Sequence, residues 1–173
     1  MTIYGNRGMG FENLIEFSNQ RYKHFNVAVI NKRPTPVKVT KSKGSKVLAG
    51  YFEKASTVDY DGSYRGRAIA FEAKSIKTLS SFPLKNLEEH QYEYLESSHR
   101  IGQAISFLLI EFTSFRETYL LPFQSLSFFW REYKGTGPKS ISKDDLNIYG
   151  YLVPTGRVPV DYLKAVDKVW FVD

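Results

Sequence analysis

The sequence predicts an α/β domain in which helices flank a mixed β-sheet and a basic β-hairpin protrudes from the body. Helix-type and strand-type hydrophobic patterns alternate along the chain. The apolar run QAISFLLIEF at 103–112 predicts a central strand, because it is apolar on both faces. The lysine-rich segment around KSKGSK divides into two short strands joined by a turn, which predicts the hairpin.

Size and composition favour one compact domain spanning 1–173. The chain has 173 residues, of which 42% are hydrophobic, enough for one sizeable core. No apolar run approaches the roughly 18 residues of a membrane span, so we expect no membrane partner. The absence of cysteine excludes disulfides and thiolate metal sites, and it agrees with an expected cytoplasmic location.

The first half of the chain predicts one helix and then strands. Asn6 is predicted to cap a helix that ends near His24, with an apolar face formed by Phe11, Ile15, Ser18, Tyr22 and Phe25. A strand is predicted at 26–33, and the hairpin at 36–53 consists of VKVT and VLAGYF. The segments STVDY and RAIAFEAKS predict two further strands around the turn DGSYRG.

The second half continues the alternation. A helix is predicted from Leu87 to Arg100, opened by Asn86 and Glu89 in capping-box spacing, and the central strand follows it. An edge strand ETYLL, a helix FQSLSFFWREY and a short helix after Ser142 complete the predicted elements before the closing segment DYLKAVDKVWF.

The positive charge is concentrated in one segment. Residues 31–54 carry seven basic residues against one acidic residue, and their net charge of +6 equals that of the whole chain. The rest of the chain is therefore balanced, so the positive potential belongs to the hairpin region and indicates a polyanionic partner. The alternative is a solvated loop whose lysines serve solubility.

Three charged residues fall within predicted strands. Side chains alternate along a strand, so Glu72 and Lys74 share one face while Ile69, Phe71 and Ala73 face the core. The short turn after Asp59 is expected to return the chain so that Asp59 lies beside Glu72. Two close carboxylates repel unless a cation lies between them, and oxygen ligands suit Mg²⁺ or Mn²⁺. The alternative is an ion pair on a solvated face.

Two further polar residues stand where apolar residues are expected. Gln91 falls on the core-facing stripe of the helix at 87–100, and Glu12 flanks the apolar stripe of the first helix. Both are predicted to face the cleft that holds Asp59. The alternatives are a core glutamine bonded to backbone and a glutamate on an exposed helix surface.

The spacing of Asp59, Glu72 and Lys74 resembles the D…ExK signature of the restriction-endonuclease-like PD-(D/E)xK nuclease superfamily. Longer stretches resemble one family within it, the RecU-type Holliday-junction resolvases. These stretches are NRGMGFE, KRPTPV, STVDYDGSYRGRAIAFEAKS, SFPLKNLEEHQ, GPKSIS and VDYL, and they occur in family order over essentially the whole chain. The sequence departs from the family at Val58, where the family commonly has threonine.

The resemblance implies a homodimeric endonuclease that uses Mg²⁺, or Mn²⁺ in its place, to cut opposing strands of four-way junction DNA symmetrically in recombination and repair. Asp59 and Glu72 would hold the metal, and Lys74 would orient the attacking water. Glu12 and Gln91 would complete the water and metal shell. A recombinase or a branch-migration helicase is an expected partner.

The resemblance also implies a DNA-contacting surface whose centre is the hairpin, acting as a stalk that enters the junction. Tyr51 and Phe52 are predicted to stack on exposed bases. The predicted DNA-binding residues are Arg7, Lys32, Arg33, Lys38, Lys41, Lys43, Lys46, Tyr51, Phe52, Arg65 and Arg67. The alternative functions are a non-catalytic DNA-binding protein on the same fold and another nuclease of the superfamily.

Overall fold

A computed structural model describes residues 10–52 and 57–172. The helices are α1 (Phe11–His24), α2 (Glu89–Arg100), α3 (Phe123–Lys134), α4 (Lys143–Tyr149) and α5 (Tyr162–Trp170). The strands are β1 (Ala28–Lys32), β2 (Val37–Lys43), β3 (Lys46–Phe52), β4 (Tyr60–Tyr64), β5 (Arg67–Ile76), β6 (Ser81–Pro83), β7 (Ile105–Phe112), β8 (Glu117–Pro122), β9 (Ser140–Ser142) and β10 (Tyr151–Leu152).

Six strands form one mixed sheet in the order β1-β4-β5-β7-β8-β10. Only β5 and β7 pair in parallel among these neighbours, and α2 connects them. One hydrophobic cluster packs α1 and α5 on the face of Ile69, Phe71 and Ala73. A second cluster packs α2, α3 and α4 on the opposite face. This three-layer arrangement confirms the predicted α/β class and the central position of β7.

The β2–β3 hairpin stands apart from this sheet, as predicted. Within the part of the chain that the structure describes, its two strands pair only with each other, and every residue in both strands is exposed. Gly44 at the turn has a φ of 59°, a conformation that glycine adopts without steric cost. We call residues 37–52 the stalk.

Some predicted boundaries were wrong. The segment 60–64 forms β4, whereas DGSYRG was predicted as a turn. The actual turn is Arg65-Gly66, where both residues have positive φ. Strand β8 was predicted at the edge of the sheet but lies between β7 and β10. Phe25 was predicted on the apolar face of the first helix, but it follows the end of α1 and is 43% exposed. The predicted Asn6 cap lies outside the described residues.

The predicted start of α2 was also wrong. Glu88, rather than Asn86, is the N-cap residue, and its partner in the capping box is Gln91, rather than Glu89. Both pairs have the required spacing of three residues, so the sequence pattern alone does not choose between them.

No helix among the described residues is both long enough and apolar enough to cross a membrane.

Gly62 is predicted to be essential for the pairing of β1 with β4. A Cβ atom at this position would lie 2.0 Å from the Val29 carbonyl oxygen, and that contact involves backbone. We expect Gly62→Ala to lower the free energy of unfolding by about 3 kcal/mol, the upper range for overpacking. Exposed Ser63 provides the control, since Ser63→Ala should change stability by less than about 0.5 kcal/mol. Equal urea-denaturation midpoints for the two variants would contradict this assignment.

Candidate active site

Asp59 and Glu72 meet across the β4–β5 pair, as the sequence predicts. Tyr60 is paired with Phe71, which places the preceding Asp59 next to Glu72. The Asp59 N–H donates to Glu72 Oε2 at 3.0 Å, and the Ala73 N–H donates to Asp59 Oδ2 at 3.2 Å. The two acidic residues are therefore bound to each other's backbone segments, which fixes both carboxylates in position.

Glu72 is a buried carboxylate with three hydrogen-bond donors. It is 1% exposed, and its Oε1 accepts from Lys74 Nζ at 2.8 Å and from Gln91 Nε2 at 2.7 Å. Burial raises the pKa of Glu72 to about 7, and the negative charge of Asp59 adds to this shift, whereas Lys74 opposes it. Burial therefore outweighs the stabilisation that the donors give to the charged form, and a cation beside Glu72 would stabilise that form further.

The Gln91 side chain links the start of α2 to Glu72. Its Oε1 accepts from the Glu88 N–H at 3.0 Å, while its Nε2 donates to Glu72. The amide is therefore held at both ends, which explains why a polar residue occupies the core-facing stripe. Gln91 thus contacts Glu72 directly.

Glu12 lies at the rim of the cleft and not beside the two central carboxylates. Its Oε2 forms an ion pair with Lys32 Nζ at 2.5 Å, and its side chain is 54% exposed. Glu16 also contacts Lys32, at 3.3 Å, and the bond to Glu12 is the main cause of the raised pKa of Lys32. Buried Tyr60 lies between the rim and the centre, since its hydroxyl donates to the Glu12 carbonyl.

Arg33 lies next to the carboxylates and is held by two residues that the sequence analysis missed. Its backbone N–H donates to the Asp59 carbonyl at 2.7 Å, and its Nη1 donates to the Tyr94 hydroxyl at 2.7 Å. Its Nε lies 3.4 Å from Asp61 Oδ2. Asp61 was missed because it was assigned to a turn, and Tyr94 because a tyrosine on a helix that faces the core is expected to serve packing.

The remaining predicted DNA-binding residues divide between the stalk and the far end of the sheet. Stalk residues Lys38 and Tyr51 pair across the strands, and Phe52, which pairs with Val37, is 74% exposed. Successive residues of a strand point to opposite faces, so Tyr51 and Phe52 point in opposite directions. Lys41, Lys43 and Lys46 lie nearer the tip, and all three are exposed.

Arg65 lies in the β4–β5 turn and Arg67 begins β5, at the end of β4 that lies away from Asp59. Five residues of strand, about 17 Å, separate this turn from Asp59. Arg65 pairs with Asp167 at 3.2 Å, and Arg67 donates to the Gln103 carbonyl at 2.9 Å. The structure therefore does not bring these arginines to the carboxylates.

Arg7 and Val58 are the two remaining positions that the sequence singled out. Arg7 lies outside the described residues. Val58, which stands before Asp59 in place of threonine, is fully buried in the cluster beneath α2. Its role here is apolar packing.

The central residues fit a hard divalent cation. Asp59 and Glu72 supply carboxylate oxygens, and the structure has no group of three or more metal-binding side chains in 10–52 and 57–172. Mg²⁺ is commonly held by one or two carboxylates, with water and substrate phosphate completing its shell. The buried charge of Glu72 is consistent with such a site.

Comparisons with known proteins match nearly the whole chain. Residues 6–168 match the family described as Recombination protein U, RecU. A protein of Geobacillus sp. (strain WCH70) named Holliday junction resolvase RecU is 41% identical over 97% of this chain and 86% of its own length. A protein of the same name from Staphylococcus aureus (strain MRSA252) is 44% identical over 96% of this chain and 82% of its own length. This chain therefore belongs to the RecU family.

Proposed function

We propose that this protein is a metal-dependent endonuclease that resolves four-way DNA junctions by paired cuts in recombination and repair. The observation that carries the proposal is the convergence of Asp59, Glu72 and Lys74 in one cleft, within a chain whose relatives are named Holliday junction resolvases. The carboxylates fit a metal, and the ammonium group is within reach of the same atoms. A non-catalytic DNA-binding protein has no need for this buried charge cluster.

Asp59 and Glu72 would hold Mg²⁺, and Mn²⁺ would be able to replace it. When bound, the cation supplies positive charge to the phosphate in the transition state and lowers the pKa of water. Lys74 Nζ, 2.8 Å from Glu72 Oε1, would hold the attacking water by a hydrogen bond and offset negative charge on the phosphate. Gln91 would keep Glu72 in its observed orientation, because it donates to the same oxygen.

Arg33 would bind a phosphate of the cleaved strand. Its guanidinium group lies over the Tyr94 ring, with 5.1 Å between Cζ and the ring centroid. The hydrogen bond to Tyr94 and the ion pair with Asp61 limit its rotation. Lys32 would play a weaker part, since Glu12 and Glu16 already neutralise its charge. Glu12 would act from the rim, by positioning Lys32 and water near Asp59.

The stalk would provide selectivity for junctions. It projects from the body as an exposed ribbon with lysines along its length, so it can reach phosphates at the open centre of a branched DNA. Tyr51 and Phe52 near its base would stack on bases that are unpaired at the crossover. A cytoplasmic location, and a recombinase or branch-migration helicase as partner, are in keeping with this role.

Removal of either proposed metal ligand should abolish cleavage. We expect Asp59→Ala and Glu72→Ala to lower the rate of junction cutting at least about a thousandfold, while junction affinity stays nearly unchanged. Exposed Asp144 on α4 provides the control, because Asp144→Ala removes an equal charge elsewhere. The measurement is single-turnover cleavage of a labelled junction in Mg²⁺, with binding measured in EDTA. Mg²⁺-dependent cutting by either ligand variant would reject the assignment.

Paired cutting also predicts a homodimer. One active site cuts one strand, so symmetric cutting of two strands requires two sites related by a two-fold axis. We expect sedimentation at micromolar concentration to give about twice the chain mass of 19.9 kDa. A purely monomeric protein that still cuts junctions in pairs would argue against this arrangement.

Shortening of the stalk should affect junctions more than duplexes. We expect replacement of residues 41–46 by a glycine-rich link to lower junction affinity and cleavage by at least about tenfold relative to any loss on duplex. The full-length stalk carrying Lys41→Ala, Lys43→Ala and Lys46→Ala is the matched control, since it removes the same three charges. Plain electrostatics predicts equal losses on both substrates and a salt dependence shallower by roughly 0.9 per lost phosphate contact. Equal losses from the shortened stalk would therefore reject a structure-selective role.

A further inference from the structure

A cavity lined by lysines lies beside the start of α2. Lys85, Tyr133, Lys134 and Lys139 line a cavity of about 420 Å³ between the turn at 84–86, the end of α3 and the loop that follows α3. We call it the lysine groove. The stretches SFPLKNLEEHQ and GPKSIS form two of its sides.

Two of the three lysines form no ion pair with a carboxylate of the described residues. Lys139 Nζ donates to the carbonyls of Tyr133 at 2.7 Å and Gly135 at 3.1 Å, and Lys85 forms no ion pair within 10–52 and 57–172. Lys134 is paired with Glu89 at 2.9 Å. The groove therefore has a net positive charge before any ligand binds.

The groove is held in a fixed position relative to the proposed active site. The Leu84 N–H donates to the Lys139 carbonyl at 3.0 Å, which joins its two sides. Lys134 contacts Glu89, the first residue of α2, and Gln91 on the same helical turn contacts Glu72. Only about 3 Å of helix rise separates Glu89 from Gln91. The start of α2 thus lies between the groove and the carboxylates.

The aromatic side chains behind the groove reinforce this arrangement. Trp130 stacks on Tyr92 with ring centroids 4.7 Å apart, and Lys134 Nζ lies 5.0 Å from the centroid of the Trp130 ring. Trp130 is buried in the cluster beneath α2. Lys134 is therefore positioned by packing as well as by its ion pair.

We infer that the lysine groove binds backbone phosphates of a DNA arm that extends from the cleaved phosphate across the start of α2. The exposed lysines in an open cavity suit a row of phosphates, which needs spaced positive charges and not an enclosing set of donors. A small anion would need convergent, buried donors, and the groove does not have them among its lining lysines. The inference rests on the proposed function, because the DNA arm in the groove would belong to the same junction that is cut at Asp59 and Glu72.

The test is a double variant, Lys85→Ala with Lys139→Ala. The matched control is Lys23→Ala with Lys168→Ala, which removes two exposed charges on α1 and α5. Binding to labelled junction and duplex is measured in EDTA over a series of salt concentrations. We expect the groove variant to bind both substrates about tenfold or more weakly, with a salt slope shallower by roughly 1.8, and the control to match the wild type. Lys85→Arg with Lys139→Arg should restore the affinity.

Each outcome has a defined meaning. Equal DNA binding by the groove variant and the wild type would overturn the inference, as would weakening equal to that of the control. Failure of the arginine variant to restore binding while its thermal unfolding is normal would also count against a phosphate contact. Binding of inorganic phosphate is measured at constant ionic strength. A small-anion site would be indicated instead if the wild type binds phosphate, the groove variant does not, and the two bind DNA equally well. A wild type that does not bind junctions would overturn the proposed function itself.

Discussion

The burial of Glu72 is the constraint around which this structure is organised. A carboxylate that is 1% exposed requires donors, and the chain supplies them from three places: the residue before β4, Lys74 of β5 and the start of α2. The same bonds fix the register of β4 on β5 and the position of α2 on the sheet. A change that displaced any of these elements would leave Glu72 buried with fewer partners, at a cost of several kcal/mol.

The proposed catalytic residues come from one continuous part of the chain. Asp59, Glu72, Lys74 and Gln91 all lie within 59–91, and the β4–β5 pair together with the start of α2 is enough to bring them together. Glu12 and Arg33, by contrast, approach from outside this segment and contact its edge. This division separates the groups proposed to act on the phosphate from those proposed to hold the rest of the substrate.

The sequence predicted the central residues because period-two alternation determines which side chains share a face of β5. It failed where local patterns are ambiguous. Asp-Gly-Ser at 61–63 has turn composition, yet it forms part of β4. Glycine occurs at position 62 because the β1 backbone approaches it too closely for a side chain. The bonds of Arg33 to Tyr94 and of Lys134 to Glu89 join residues far apart in sequence, so no local pattern predicts them.

The complete exposure of the stalk has a consequence for the energetics of recognition. A two-stranded ribbon without a buried face is marginally stable by itself, so its amides should exchange with solvent far faster than those of β5 and β7. Any substrate that holds the ribbon in one conformation must first offset the entropy lost on ordering it. Under the proposed function, branched DNA that surrounded the ribbon would make enough contacts to do so, whereas a duplex touching one side of it would gain less. Discrimination between the two would then come partly from the conformational entropy of the protein and not only from the shape of the DNA.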